Sequence, residues 1–149
     1  MNSVKPILTD DGSYTLFVPE LNEHYHSTFG AAQESLHVFI QNGLKYFLNQ
    51  NPDFIKVRIF EMGFGTGLNA FLTWLNTKNL NLKIEYTAVE KFPLDFSIIE
   101  QLNIGNYFQN AELEDVYKQF HTSEWEIPAA FGNFTLKKLN AASISHSEV

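Results

Sequence analysis

The sequence predicts an α/β domain built on a parallel sheet, and three observations carry that prediction. A short apolar run, Val57–Phe60, passes into the glycine-rich turn Glu61-x-Gly63-x-Gly65-x-Gly67 and then into helical spacing at Leu68, Phe71, Leu72 and Leu75. A second strand pattern, Lys83–Val89, follows the turn over residues 76–81 and ends on Glu90, which completes a βαβ unit. Ahead of this unit lie a candidate hairpin and an amphipathic helix, so the α/β half is preceded by a β-hairpin and a helix.

The elements follow in order. Ile7-Leu8 and Tyr14–Val18 flank Asp10-Asp11-Gly12-Ser13, a turn composition that predicts a hairpin, and Pro19 ends it. Residues 20–30 are polar, aromatic and aperiodic, as expected of a loop. From Ala31 to about Leu48 the apolar positions Leu36, Phe39, Ile40, Leu44, Phe47 and Leu48 share one helical face, and Asn49-Gln-Asn-Pro-Asp53 breaks the helix. After Glu90, Pro93 suits a first-turn position, Leu94, Ile98, Ile99 and Leu102 give an apolar face, and Gly105 is the expected C-terminal cap. Leu113, Val116, Tyr117 and Phe120 predict a further helix. Trp125, Pro128 and Gly132 punctuate a loop, and Phe134–Leu139 gives a third strand. The order is a hairpin, a helix, then β-α-β-α-α-β, with three parallel strands and the third as a raw sheet edge. The expected organisation is one incomplete domain: residues 1–52 form the hairpin, loop and helix, 53–139 the cofactor-binding half, and 140–149 an atypical tail.

Composition narrows the functional classes. The chain has 149 residues, 44% hydrophobic, 15% aromatic and 18% charged, which suits a globular domain with a core. It contains no cysteine, which excludes disulfides, thiolate metal sites and a cysteine nucleophile and fits a cytoplasmic setting. No window approaches the ~18 apolar residues of a spanning helix, so no membrane role is expected. Net charge is −7, from 10 basic and 17 acidic residues, and Lys137-Lys138 is the only adjacent basic pair, so the chain offers no basic patch to a phosphate backbone.

The glycine turn is the candidate ligand site. Glycines at a strand-to-helix turn let the backbone reach φ > 0 and approach a ligand closely, and the helix N-terminus adds N–H groups and the positive dipole end. Glu90, 23 residues beyond Gly67, is placed to accept both hydroxyls of a ribose. A dinucleotide fingerprint has its third glycine three residues after the second; that position is Leu68, which disfavours a nicotinamide-dependent oxidoreductase. The bland alternative is a tight turn beside a solvated strand end. His24-Tyr-His26 with Glu23 invites a metal reading, but no other histidine has a spacing that completes a site, and none is assigned. Glu34 reads either as a first-turn helix acid or as a cleft residue, and Trp74 and Trp125 as packing residues.

The glycine spacing, with an acid two residues before the first glycine, resembles motif I of class I S-adenosylmethionine-dependent methyltransferases. Further runs agree in order: Glu20-Leu-Asn-Glu-His-Tyr-His-Ser27, Gln33-Glu-Ser-Leu-His-Val-Phe39, Asn42-Gly-Leu44, Glu61-Met-Gly-Phe-Gly-Thr-Gly-Leu-Asn69 and Glu90-Lys-Phe-Pro-Leu94. Together they resemble the methyltransferase domain of the MnmC family over the chain to about Leu139. The resemblance implies the N-terminal part of a class I, Rossmann-like fold and methylation of the amine of 5-aminomethyl-(2-thio)uridine at the tRNA wobble position, with S-adenosylmethionine as donor. By position it assigns Glu61, Gly63, Phe64, Gly65, Thr66, Gly67, Asn69, Glu90 and Lys91 to the cofactor pocket, and Asn22, His24, His26 and Glu34 to the same cleft. The tRNA anticodon region would be the partner. The family's later Asp-Ala-Phe-Ala-Pro-like motif, whose aspartate lies by the methyl-transfer site, has no counterpart, and Asn140-Ala-Ala-Ser143 stands where a contact to adenine is usual. The expectation is therefore a C-terminally truncated domain with no assigned catalytic residue. The alternative is a catalytically inactive cofactor-binding fragment or assembly module, with self-association through the exposed sheet edge.

Overall fold

The computed structural model describes residues 3–144; of the tail, residues 145–149 lie outside that range. The chain opens with a three-stranded antiparallel sheet, β1 (Lys5–Leu8), β2 (Tyr14–Val18) and the two-residue β3 (Glu23–His24), with β2 in the middle. The expected hairpin is present, and the segment read as a loop contributes β3 to it. Its turn also caps the next helix. Thr9 Oγ1 accepts from Ala31 N, Ser13 Oγ from Ala32 N and Asp11 Oδ2 from Gln33 N, at 3.2, 3.0 and 3.0 Å. Three orphan amides of a helix start are thus satisfied by side chains some twenty residues earlier.

That helix is continuous over residues 31–50: α1 (Ala31–Glu34), a π-helical stretch (Ser35–Lys45) and α2 (Tyr46–Gln50). Beyond it lies the main sheet, in the order β4 (Lys56–Met62), β5 (Lys83–Glu90), β7 (Phe134–Asn140), β6 (Ala129–Phe131). The first two pairings are parallel, with Ile59 opposite Tyr86 and Tyr86 opposite Leu136. β6 pairs antiparallel with β7 through a turn in which Gly132 has φ +65°. The third parallel strand is therefore interior to the sheet and not its raw edge, because residues 129–131, read as loop, form a strand beside it. Among the described residues the long open edge is β4.

Between the strands run α3 (Leu68–Thr77), α4 (Phe96–Gln101), α5 (Ile104–Phe108) and α6 (Ala111–Thr122); α7 (Ala141–Ile144) follows β7. Gly105 does not cap α4 but lies inside α5, packed so tightly on Glu114 that a Cβ would meet its carboxylate at 2.6 Å. Pro93 stands ahead of the helix, whose N-cap position is Asp95.

The core lies on one face of the sheet. Val57, Ile84, Tyr86, Ala88, Phe134 and Leu136 pack against Ile40 and Leu44 of the π-helical stretch, Phe71 of α3 and Tyr117 and Phe120 of α6. Phe120 stacks on Phe134 with centroids 5.6 Å apart and meets Phe71 edge-on. The alternate residues of β4 point the other way, and there Phe60 and Met62 are 62% and 76% exposed. Parallel sheets are normally covered on both faces; here the helices that build the core cover one.

Candidate functional site

The site lies at the carboxyl ends of β4 and β5, where ligands bind in open α/β sheets. All three turn glycines take positive φ: +86° at Gly63, +55° at Gly65 and +72° at Gly67. Gly63 stays on the ladder, donating to Val89 O at 2.7 Å, and a Cβ there would face open space. At Gly65 a Cβ would crowd the Tyr25 ring at 3.2 Å. At Gly67 it would collide with Phe64 at 2.8 Å and meet His121 Nε2 at 3.0 Å. The first glycine leaves room for a ligand, and the other two let the chain pack around the turn.

Glu90 reaches this turn. Its Oε2 accepts from Gly65 N at 2.9 Å and its Oε1 from Phe92 N at 2.8 Å, so the carboxylate ties the ends of the two strands together. Glu61 faces the covered side of the sheet. It accepts from Tyr86 Oη at 2.6 Å and from Asn69 Nδ2 at 2.9 Å, while Asn69 Oδ1 accepts from Ser35 Oγ at 2.7 Å. Burial pushes the Glu61 carboxyl above its usual range, against the two hydrogen bonds that favour its charged form. Asn69 thus joins the start of α3 to β4 through Glu61 and to the π-helical stretch through Ser35.

Of the other expected residues, Phe64 and Thr66 are buried under the turn, and Lys91 is exposed with its ammonium 5.3 Å from the Phe92 ring centre. Thr66 Oγ1 is buried without a hydrogen-bond partner among the described residues. Asn22 sits in an exposed turn with φ +52°, and His24 lies in β3 with its ring 4.8 Å from Phe17. His26 Nδ1 is 3.6 Å from Glu34 Oε1, and Glu34 Oε2 accepts from Ser27 N at 3.0 Å, so this pair staples the loop to α1. Burial lowers the His26 pKa, opposed by the Glu34 charge. The loop residue that touches the glycine turn is Tyr25, which the sequence reading passed over; an aromatic between two histidines gave no sign of its target. Burial and the nearby Glu90 charge raise the Tyr25 pKa.

Three more residues come from distant positions. Tyr117 Oη and His121 Nε2 lie 2.5 and 2.8 Å from the Thr66 carbonyl oxygen. Lys138 Nζ donates to His121 O at 2.8 Å, with its ammonium 4.8 Å from the Trp125 ring centre and 5.7 Å from that of Phe64. Burial lowers His121 to a pKa of about 4, helped by the Lys138 charge, and lowers Lys138 to about 8. Helical spacing places Tyr117 on an apolar face and singles out nothing at His121; such a pattern does not report a contact across more than fifty residues.

No protein-family model matches the chain. Among curated proteins it is 40% identical over 81 residues to the tRNA 5-methylaminomethyl-2-thiouridine biosynthesis bifunctional protein MnmC of Idiomarina loihiensis, covering 52% of this chain and 13% of that protein. The protein of the same name from Leptospira interrogans is 31% identical over 122 residues, 78% of this chain and 18% of its own length. Among solved structures, the crystal structure of MnmC2 from Aquifex aeolicus superposes with a TM-score of 0.67 at 25% identity, over all of this chain and 46% of the other. The chain thus spans less than a fifth of the curated relatives quoted and about half of the solved neighbour. The α/β fold with its parallel sheet is that of the MnmC2 neighbour, and the chain is homologous to the MnmC proteins.

Proposed function

We propose that this homologue of the MnmC proteins binds S-adenosylmethionine on its glycine turn and serves methyl transfer to the amine of 5-aminomethyl-(2-thio)uridine at the tRNA wobble position, in the cytoplasm. The observation that carries the reading is the meeting of Gly65 N and Glu90 at 2.9 Å across the ends of two parallel strands. A carboxylate fixed by a backbone donor at the ends of two parallel strands suits a ligand with a ribose, whose hydroxyls it can accept. The residues fit the group: Gly63 leaves open space at φ +86°, and each Glu90 oxygen accepts one hydrogen bond within the protein, leaving capacity for two hydroxyls.

In this reading the backbone at Gly63 and Gly65 lies along the methionine and ribose side, and Glu90 takes the ribose hydroxyls. Glu61, held by Tyr86 and Asn69, would lie on the methionine and ribose side beneath the turn. Thr66, Gly67 and Phe64 shape the turn from below, Tyr25 touches it from the 22–26 loop, and Lys91 with that loop and Glu34 would stand at the rim. The cofactor, when bound, supplies an electrophilic methyl group on a sulfonium. The protein contributes position and orientation, which dominate such a transfer to an unprotonated amine.

Calorimetric titration tests the first step. S-adenosylmethionine should bind and NADH should not; the reverse result overturns the reading. A second reading, a cofactor-binding module that carries out no transfer by itself, is favoured by the bare sheet face with Phe60 and Met62 exposed. In it, the open β4 edge associates with a second copy. Transfer of labelled methyl groups to tRNA lacking the wobble modification decides between the two.

A further inference from the structure

We propose that Tyr117 and His121, with Lys138 behind them, are positioning residues that set the direction of the Gly65 N–H, and through it the place of the Glu90 carboxylate that it holds, from the far side of the glycine turn. This rests on the reading of the turn as the cofactor site. Two peptide units, Thr66–Gly67 and Phe64–Gly65, link α6 to Glu90. A trans peptide is planar, with its C=O and N–H pointing in opposite directions, and the described chain has no cis peptide bond. The Thr66 carbonyl is turned toward α6, where it accepts from Tyr117 Oη and His121 Nε2. The N–H of that same peptide, Gly67 N, therefore points back into the turn and donates to Phe64 O at 2.8 Å. Phe64 O being fixed, the opposite end of its own peptide, Gly65 N, is directed outward, to Glu90 Oε2. Donors on α6 thus determine where the Gly65 N–H points.

Both donors lie on one face of α6, four residues apart, as one helical turn requires. A carbonyl oxygen has two lone pairs, and this one has a donor for each. The carbonyl has no hydrogen to give, so His121 Nε2 carries the proton. Lys138 extends the arrangement: its ammonium donates to the His121 carbonyl in the last turn of α6, where a cation is favoured, and lies over Phe64. Phe64 in turn packs on the His121 ring with centroids 5.2 Å apart, closing a cage around the Gly67 α-carbon. Packing alone would not need this set. A phenylalanine at 117 or 121 would fill the same space without directing the carbonyl.

The test uses Tyr117→Phe, His121→Phe, His121→Gln and Lys138→Met in the full chain, with two readouts. Amide NMR of the ligand-free protein should show the Gly65 and Gly67 resonances shifted and their hydrogen exchange at least tenfold faster in Tyr117→Phe and His121→Phe, with Tyr86 of β5 unchanged. His121→Gln, which keeps an N–H, should restore most of that protection. Titration with S-adenosylmethionine should show affinity falling about tenfold in the two phenylalanine variants, with recovery in His121→Gln. Lys138→Met should move the same two amides less. Unchanged Gly65 and Gly67 exchange in both phenylalanine variants, or no recovery in His121→Gln, overturns the proposal. If the natural chain fails to bind S-adenosylmethionine, the cofactor reading falls while the amide readout still decides the clamp. If one phenylalanine variant fails to fold, the other and Lys138→Met carry the test.

Discussion

Replacing Glu90 by alanine probes the proposed cofactor site most directly. In the free protein the carboxylate accepts Gly65 N at 2.9 Å and Phe92 N at 2.8 Å. The Phe92 bond is exposed and exchanges readily with water, whereas the Gly65 bond is partly buried. Hydrogen bonds to a charged group contribute about 1.5–3 kcal/mol when not compensated by solvent. One such partly buried bond lost from the free protein should lower stability by about 1 kcal/mol. In the complex the same carboxylate would hold the ribose hydroxyls, so Glu90→Ala should weaken S-adenosylmethionine by about 1.5–3 kcal/mol, roughly 10- to 150-fold. Glu90→Gln keeps one acceptor oxygen and should fall between. Isothermal titration gives the affinities. Repeating it with a cofactor analogue lacking the ribose hydroxyls closes a double-mutant cycle in which the two losses should overlap and not add. An affinity for the natural cofactor within twofold of the unsubstituted chain, or losses that add fully, would refute the assignment of Glu90 to the ribose.

The other predictions concern the frame and its edge. Asp11→Ala removes acceptors used by Thr9 Oγ1, Ser13 N, Ser13 Oγ and Gln33 N; it should cost about 1–3 kcal/mol in urea unfolding, and a loss under about 0.5 kcal/mol would deny the turn its capping role. His121 has a folded pKa of about 4 against an ordinary 6.5, so the unfolded chain binds the extra proton first. Its contribution to stability is accordingly full above pH ~6.5 and lost as pH falls toward 4, by about 1–3 kcal/mol given its partial exposure. His121→Gln should flatten that part of the stability profile, and an unaltered profile would count against the cause. At the open edge, Phe60→Lys should shift any dimer seen by sedimentation toward monomer. Equal dimerisation of the two proteins would remove β4 from the contact.

Elements with a local cause could be read from the sequence. The hairpin followed from Asp-Gly between alternating arms, the long helix from one apolar face, and the βαβ unit from the change of period on either side of three glycines. The meeting of the turn with Glu90 was legible because a βαβ unit brings the carboxyl ends of its two strands side by side. β6 was hidden because Ala129–Phe131 is three residues long, between Pro128 and Gly132, and is a strand only through β7. Gly105 read as a cap because glycine favours helix ends; its actual cause is Glu114, nine residues on, which leaves no room for a side chain and accepts its N–H. Tyr25, Tyr117, His121 and Lys138 were not legible as site residues because each gets its role from tertiary convergence. Lys138 occupies an inward position of β7, where alternation alone would call for an apolar side chain, and it is tolerated because the His121 carbonyl and two aromatic faces take its charge.

The one-sided helix cover bears on how the site keeps its shape. Among the described residues no helix covers the face of Phe60 and Met62, which forgoes the burial that a second layer would give and weakens the sheet. The glycine turn draws little from that face. Its peptides are oriented by Tyr117 and His121 from the covered side, by Phe64 O within the turn, and by Glu90 from the neighbouring strand. Local order at the glycine turn is thereby separated from the completeness of the sheet. Denaturant should consequently bring a global transition at low concentration, while below that transition the Gly65 and Gly67 amides stay as protected as those in the middle of β5. Earlier exchange at the glycines than at Tyr86 would show instead that the turn depends on the uncovered face.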